Sequence, residues 1–374
     1  METFETYIKG YLQAKYKGMA NELYSLSYIL QYLVYKTKSA NKGAKARGSF
    51  ANLYAIYVIV EDYLQKGFDK KGDYGSYEGA QFSVLFKRQR KLPFGAKLQN
   101  HALNSRMNEE FFKYFPTQEG MPPIMRNLET QRYWFNENYL KLKVGRTNIN
   151  IAQDIISIID HYVEVKQGTF IQFINQCETL QGLNSSDDIA EIADFILSLL
   201  APNVDASLFE IVSYAILKNY YKEVVIYWGY TPEVEKLNRE SLHLYKTGRT
   251  NANDGGIDFV MKPLGRFFQV TETLDFKKYF LDIDKIKRYP LSFVIKSDES
   301  TEKLIAKIKK DALKTYIVKK VVNDYLQCIE EIINIPMLKE YLIKLETKGM
   351  ISEVLKEIIL QSKVEFNFED ENNL

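Results

Sequence analysis

Two apolar runs, GGIDFVM and RFFQVTE, stand on either side of the tetrapeptide KPLG, and no other feature constrains the chain as tightly. Runs of this length, rich in branched and aromatic residues, suit strands, while Pro263 and Gly265 suit a tight reversal, so the segment predicts a β-hairpin. If the chain turns between Pro263 and Leu264, Asp258 and Gln269 are equally distant from the turn and lie opposite each other. Alternation then puts residue 271 on the face of residue 269 and points Glu272 away from Asp258, unless a bulge intervenes.

The hairpin belongs to a longer order of elements. Asp205 can cap a helix through SLFEIVSYAILKNYYKE, and VVIYWGY has the β-branched and aromatic character of a strand. After the hairpin, TLDFKKYFLDIDKIKRY suits a helix and LSFVIKS, following Pro290, another strand. The order is therefore helix, strand, strand, strand, helix, strand.

Glu210 on the first helix, Asp254-Gly255-Gly256-Ile257-Asp258 opening a strand, and Phe268-Gln269-Val270-Thr271 on the next resemble the PD-(D/E)XK nuclease core. The DGGID and Q-x-K form is similar to Mrr-type and several type II restriction endonucleases. The resemblance spans about residues 205–297. It implies an α/β class, α+β overall: a restriction-endonuclease-like core with a mixed central sheet flanked by helices. It also implies Mg²⁺ held by Asp258, Glu210 and Gln269. Cutting a phosphodiester requires charge stabilisation around a crowded anion, and oxygen ligands on adjacent strands can hold such an ion against it.

One position departs from the family pattern. Where the family carries a Lys that orients and activates water, this chain has Thr271. Lys277 and Lys278 on the following helix are the favoured replacements, ahead of Lys262 near the turn and Lys296 on the last strand, and Glu272 is a secondary carboxylate candidate.

The remainder of the 374 residues divides into a basic, mainly helical recognition region (1–150), a helical connector (151–204) and a helical C-terminal extension (301–374) around the core at 205–300. The segment SFANLYAIYVIVEDYLQKG reads as a helix, with a strand as the alternative. The net charge of +2 says nothing about nucleic acid until the charges are located. Two windows lack acids altogether. The first holds Lys36, Lys38, Lys42, Lys45 and Arg47; the second holds Lys87, Arg88, Gln89, Arg90, Lys91, Lys97, Asn100, His101, Asn104 and Arg106. Arg, Lys, Asn and Gln are the side chains that contact phosphates and base edges, so both windows are expected to meet DNA.

The two cysteines and three histidines lack the spacing of a disulfide framework or a zinc site. The N-terminal sequence METFETYIKGYLQAKYKG lacks the basic-then-apolar pattern of a signal peptide, so a cytoplasmic protein is expected, with no membrane partner. These features, with the resemblance, imply a Mg²⁺-dependent, sequence-specific double-strand DNA endonuclease of the type II restriction kind. Such an enzyme would act as a homodimer in phage defence, with a separately encoded methyltransferase as partner. The alternatives are a modification-dependent or other defence nuclease, and a non-catalytic DNA-binding protein that keeps the nuclease fold.

Overall fold

The computed structural model describes residues 3–40, 46–70, 73–96, 98–183, 186–231, 233–247 and 257–366, apart from the side chains of 39, 40, 46–48, 186 and 187. The chain divides into two units, Met1–Phe173 and Ile174–Leu374. Both combine helices with strands, and no described helix is long and apolar enough to cross a membrane.

The first unit opens with helices α1 (Phe4–Tyr16), α2 (Ala20–Leu26), α3 (Tyr28–Ala40) and α4 (Ala46–Gln65). The last of these settles the ambiguous segment as a helix. Leu53 through Val60 are all buried, so α4 is apolar all round and forms the centre of its unit, where burial overrides the β preference of its Ile and Val residues. A short strand β1 (Ala80–Gln81) leads into α5 (Phe82–Lys91), and α6 is Met107–Tyr114. The region expected to be mainly helical also contains two hairpins, β2 (Ile124–Asn127) with β3 (Arg132–Phe135), and β4 (Lys141–Val144) with β5 (Thr147–Asn150). Helix α7 (Ala152–Gln181) follows, and the division into units falls within it. Its buried Asp154 accepts hydrogen bonds from Tyr11 (2.9 Å), Tyr16 (2.6 Å) and Lys15, which satisfies a carboxylate that would otherwise be costly to bury.

The second unit contains α8 (Ser186–Ser198), α9 (Ala206–Tyr221), β6 (Val225–Trp228), β7 (Asn238–Ser241), β8 (His243–Lys246), β9 (Phe259–Lys262) and β10 (Arg266–Thr271). It continues through α10 (Phe276–Lys285), β11 (Leu291–Ile295), α11 (Thr301–Thr315), α12 (Lys319–Gln327), β12 (Ile329–Ile333), α13 (Ile335–Thr347) and α14 (Ile351–Phe366). Five strands form a mixed sheet in the order β12-β11-β10-β9-β8, in which β10, β11 and β12 are parallel and β8, β9 and β10 antiparallel.

Helices lie on both faces of this sheet. On one, Tyr214 of α9 meets Phe259 (ring centroids 5.2 Å apart), and α13 and α14 pack against α9 through the Tyr220–Tyr341 stack and the Lys218–Glu357 pair. On the other, α10, α11 and α12 bury Tyr279, Phe280, Leu304, Ile308 and Val322 against Leu291, Phe293 and Ile295.

Two sequence expectations for this unit are corrected. The run VVIYWGY does form a strand, but among the described residues β6 pairs only with β7, in a separate ribbon. The neighbour of β9 is instead β8, drawn from what reads in sequence as a polar connection. The C-terminal extension is also not wholly helical, because IEEII is β12, the parallel edge of the same sheet. Its isoleucines fit helical spacing as well as they fit a short strand, and the α11–α12 crossover carries them back to β11.

Candidate active site at the end of the hairpin

Strands β9 and β10 pair Met261 with Arg266, Val260 with Phe267 and Phe259 with Phe268. The paired register ends there, one residue short of Asp258 and Gln269, the two positions that the count from the turn sets opposite each other. Gly265 closes the reversal, with its N–H donating to the Met261 carbonyl (2.9 Å) and a φ of 66°, where a Cβ would be strained.

Beyond Phe259 the ladder changes character. Asp258 still donates its N–H to the Phe268 carbonyl (2.8 Å) and accepts at its own carbonyl from Thr247 N–H (2.9 Å). Its carboxylate Oδ2 then accepts from the Val270 N–H at 2.7 Å, so the side chain takes the ladder position where a main-chain carbonyl would otherwise serve. The Ile257 carbonyl is turned instead toward the Thr247 hydroxyl. Asp258 is thus fixed at the point where β9 leaves β10.

Gln269 is 8% exposed, and its amide donates to the Val270 carbonyl at 3.2 Å. Its Oε1 is buried with no hydrogen-bond partner among the described residues. Leaving such an acceptor unmet costs about 1–3 kcal/mol. Two residues on, Thr271 is also buried, and its Oγ1 accepts from Lys278 Nζ at 3.0 Å and from the Thr273 N–H at 3.3 Å.

Lys278 reaches this point because of how α10 begins. Asp275 caps the helix by accepting from the Lys277 N–H (3.1 Å), and Tyr279 anchors it through its hydroxyl on the Thr273 carbonyl (2.9 Å) and its ring on Phe293 (4.6 Å). Of the two lysines favoured from sequence, Lys278 is therefore brought to Thr271, whereas Lys277 is exposed one position away.

Other sequence candidates lie elsewhere. Glu272 faces the opposite way, as alternation requires, and pairs with Lys296 at 2.7 Å; Lys296 also donates to the Val204 carbonyl. Lys262 is at the far end of β9, over the Tyr245 ring. Glu210 is 3% exposed and pairs with Lys246 at 3.1 Å. Lys246 is in register with Phe259, so this pair occupies the α9 side of the sheet, opposite the side chains of Gln269 and Thr271. Sequence reasoning missed Lys246, although a Glu on an otherwise apolar helix face signals that a cation must meet it. Asp254, Gly255 and Gly256 lie outside the described residues.

Among the described residues no three His, Cys, Asp or Glu side chains converge as metal ligands. What the corner offers a cation is one carboxylate, Asp258, and one partnerless amide oxygen, Gln269. That donor set fits Mg²⁺, which takes oxygen ligands, keeps several waters and needs only one or two carboxylates. The thiols are unsuited to nucleophilic work: burial pushes Cys177 up to about 12, and Cys328 is also raised, chiefly by burial.

The two basic windows of the first unit divide into engaged and open cations. Lys36 and Arg106 both pair with Glu110, Arg88 holds Glu61 with two hydrogen bonds (2.7 and 2.8 Å), and Lys38 pairs with Glu5 at 3.2 Å. Gln89 is buried and donates to the Ala51 carbonyl, while Asn104 accepts from the Tyr133 hydroxyl. Asn100 is half-buried and His101 exposed. Lys42, Lys45 and Lys97, with the side chain of Arg47, lie outside the described residues. The charges with no carboxylate partner among the described residues are on α5: Lys87, Lys91 and Arg90, the last donating to the Ala96 carbonyl (2.8 Å), line a cleft of about 480 Å³ with Phe82, Ser83, Phe86 and Ala96.

In comparisons with known proteins, no family model matches the chain, and no curated protein or solved structure matches it either.

Proposed function

We propose that the second unit is a Mg²⁺-dependent endonuclease of the restriction type, built on a PD-(D/E)XK-like core and hydrolysing phosphodiester bonds in double-stranded DNA. The observation that carries this reading is the end of the hairpin, where the Asp258 carboxylate accepts from the Val270 N–H, the neighbouring Gln269 Oε1 has no partner among the described residues, and Thr271 accepts from the amine of Lys278. The mixed sheet, with a helix before the hairpin and another after it, is the scaffold such a core requires.

Bound Mg²⁺ would supply charge stabilisation at the phosphoryl group and a more acidic water. Asp258 and Gln269 are the residues that would hold it. The Val270 N–H fixes the carboxylate, and no donor among the described residues competes for the buried amide oxygen of Gln269. Lys278 supplies, from a helix, the positive charge that Thr271 cannot: an ammonium can orient a water or balance charge growing on the phosphate oxygens. The open cations of α5 are proposed as DNA contacts of the first unit. A cytoplasmic homodimer with two active sites, and a methyltransferase that protects host DNA, belong to the same reading.

A second reading, a DNA-binding protein that has lost catalysis, is favoured by one specific observation. Glu210, the remaining acid of the expected set, is neutralised by Lys246 on the other side of the sheet. Digestion separates the two: unmethylated plasmid and phage DNA incubated with Mg²⁺ should yield discrete fragments that EDTA abolishes. DNA bound but intact with Mg²⁺, in unmethylated and methylated substrates alike, would select the second reading.

A further inference from the structure

Helix α11 and the turn into α12 carry a charge pattern that the active-site reading does not use. Between Lys303 and Lys320 the chain has seven lysines, Lys303, Lys307, Lys309, Lys310, Lys314, Lys319 and Lys320, against one acid, Asp311. Ser300 caps α11, and Leu304, Ile308 and Ala312 turn inward. This fixes the outward face. Lys303, Lys307, Lys310 and Lys314, spaced by four, three and four, form one stripe along it. Glu299 engages Lys307 and Asp311 engages Lys314, whereas no described carboxylate pairs with Lys303, Lys309, Lys310, Lys319 or Lys320.

The end of the stripe is apolar and bare. Ile317 is 98% exposed and Val318 58%, directly between Lys314 and Lys319. Packing gives no reason for two branched apolar side chains to stand in water at the tip of a turn flanked by lysines. The stripe runs about 16 Å at 1.5 Å per residue, the axial length of about five phosphates on one strand of a duplex.

We propose that the α11–α12 corner is a backbone contact for duplex DNA, with the unpaired lysines meeting phosphates and Ile317 pressing into a groove. The choice of DNA among polyanions rests on the nuclease reading; the surface itself rests on charge and exposure. Lysine acts as a point charge on phosphate, so the contact is independent of sequence. Apolar wedges flanked by cations are a recurring means of gripping a groove. The site lies in the same unit as Asp258, and α11 covers the sheet face toward which Gln269 and Thr271 point.

The test is binding of the full chain to a fluorescent 30-base-pair duplex in EDTA, across a range of NaCl concentrations. Each phosphate contact contributes about 0.9 to the slope of log affinity against log salt. The combined variant Lys309→Gln, Lys310→Gln, Lys319→Gln, Lys320→Gln should lower that slope by up to about 3.6, with at least a tenfold loss of affinity. Ile317→Ser should weaken binding severalfold at an unchanged slope. An unchanged slope and affinity in the combined variant would overturn the proposal even if the wild-type protein cuts DNA. A wild-type protein that cuts nothing, yet shows the lysine-dependent slope, would sink the nuclease reading and leave this surface standing. Stronger capture by phosphatidylserine vesicles than by the duplex, lost in the combined variant, would assign the corner to a membrane surface and overturn the DNA proposal.

Discussion

Lys278 Nζ donates to Thr271 Oγ1 at 3.0 Å, which joins a helix amine to the strand position where the sequence lacks one. If this amine serves the reaction, Lys278→Met should lower the single-turnover cleavage rate by about 10²–10⁴-fold, the span of a positioned proton-transfer or charge-stabilising group. Lys277→Met, one residue away and exposed, should cut within a factor of two or three of the wild-type protein. Equal losses in both variants would remove Lys278 from the site.

Gln269 holds a buried oxygen without a partner among the described residues, which sets its stability against its function. Gln269→Met keeps the length of the side chain and removes the unmet acceptor, so the metal-free variant should be as stable as the wild-type protein or more so, by about 1 kcal/mol. Mg²⁺ should raise the melting temperature of the wild-type protein, because a ligand bound only to the folded state stabilises it, and this shift should vanish in Gln269→Met along with cleavage. Calorimetry with and without Mg²⁺ reads both; a full Mg²⁺ shift in the variant would show that Gln269 is no ligand.

The hairpin was legible because its register depends on counting from one turn: Pro263 and Gly265 locate the reversal, and the pairing of Phe259 with Phe268 follows. Alternation also assigned Glu272 to the far side, where Lys296 meets it. The neighbours of the hairpin were not legible. β8 comes from HLYK, a four-residue run containing only one fully buried side chain, and β12 from isoleucines that fit either period. The partners of the charge windows were not legible either. Sequence gives the spacing between cations and acids along the chain, whereas Lys36 and Glu110, 74 residues apart, pair only in the fold.

Glu110 illustrates what such a pairing does to stability. Burial pushes its carboxyl up, but hydrogen bonds and charge from Lys36 and Arg106 outweigh burial and hold it below the usual carboxylate range. A carboxyl depressed in this way stabilises the fold above its unfolded pKa, and that contribution is lost as the pH falls through the lowered value. Lys36→Met should therefore cost about 2 kcal/mol at pH 7, with the gap from the wild-type protein narrowing below about pH 4 as the carboxyl protonates. Urea denaturation at pH 7 and pH 3.5 measures it. A constant gap at both pH values would show that the loss is one of packing alone.

On α5, neighbouring cations have different partners, and the same DNA-binding titration should separate them. Lys87→Gln combined with Lys91→Gln should weaken duplex binding and lower the salt slope by about 2, with no change in melting temperature. Arg88→Gln breaks the two hydrogen bonds to Glu61 and should instead lower thermal stability. If Arg88→Gln alone reduced the salt slope, the assignment of open and engaged charges would be reversed.

The most direct test of the central claim is cleavage by Asp258→Asn. The amide keeps an oxygen for the Val270 N–H and removes only the charge, so the variant should fold and bind duplex in EDTA like the wild-type protein. With Mg²⁺, the wild-type protein should cut plasmid DNA into discrete fragments, while Asp258→Asn should leave it intact over the same time. Cleavage by Asp258→Asn at the wild-type rate would contradict the account.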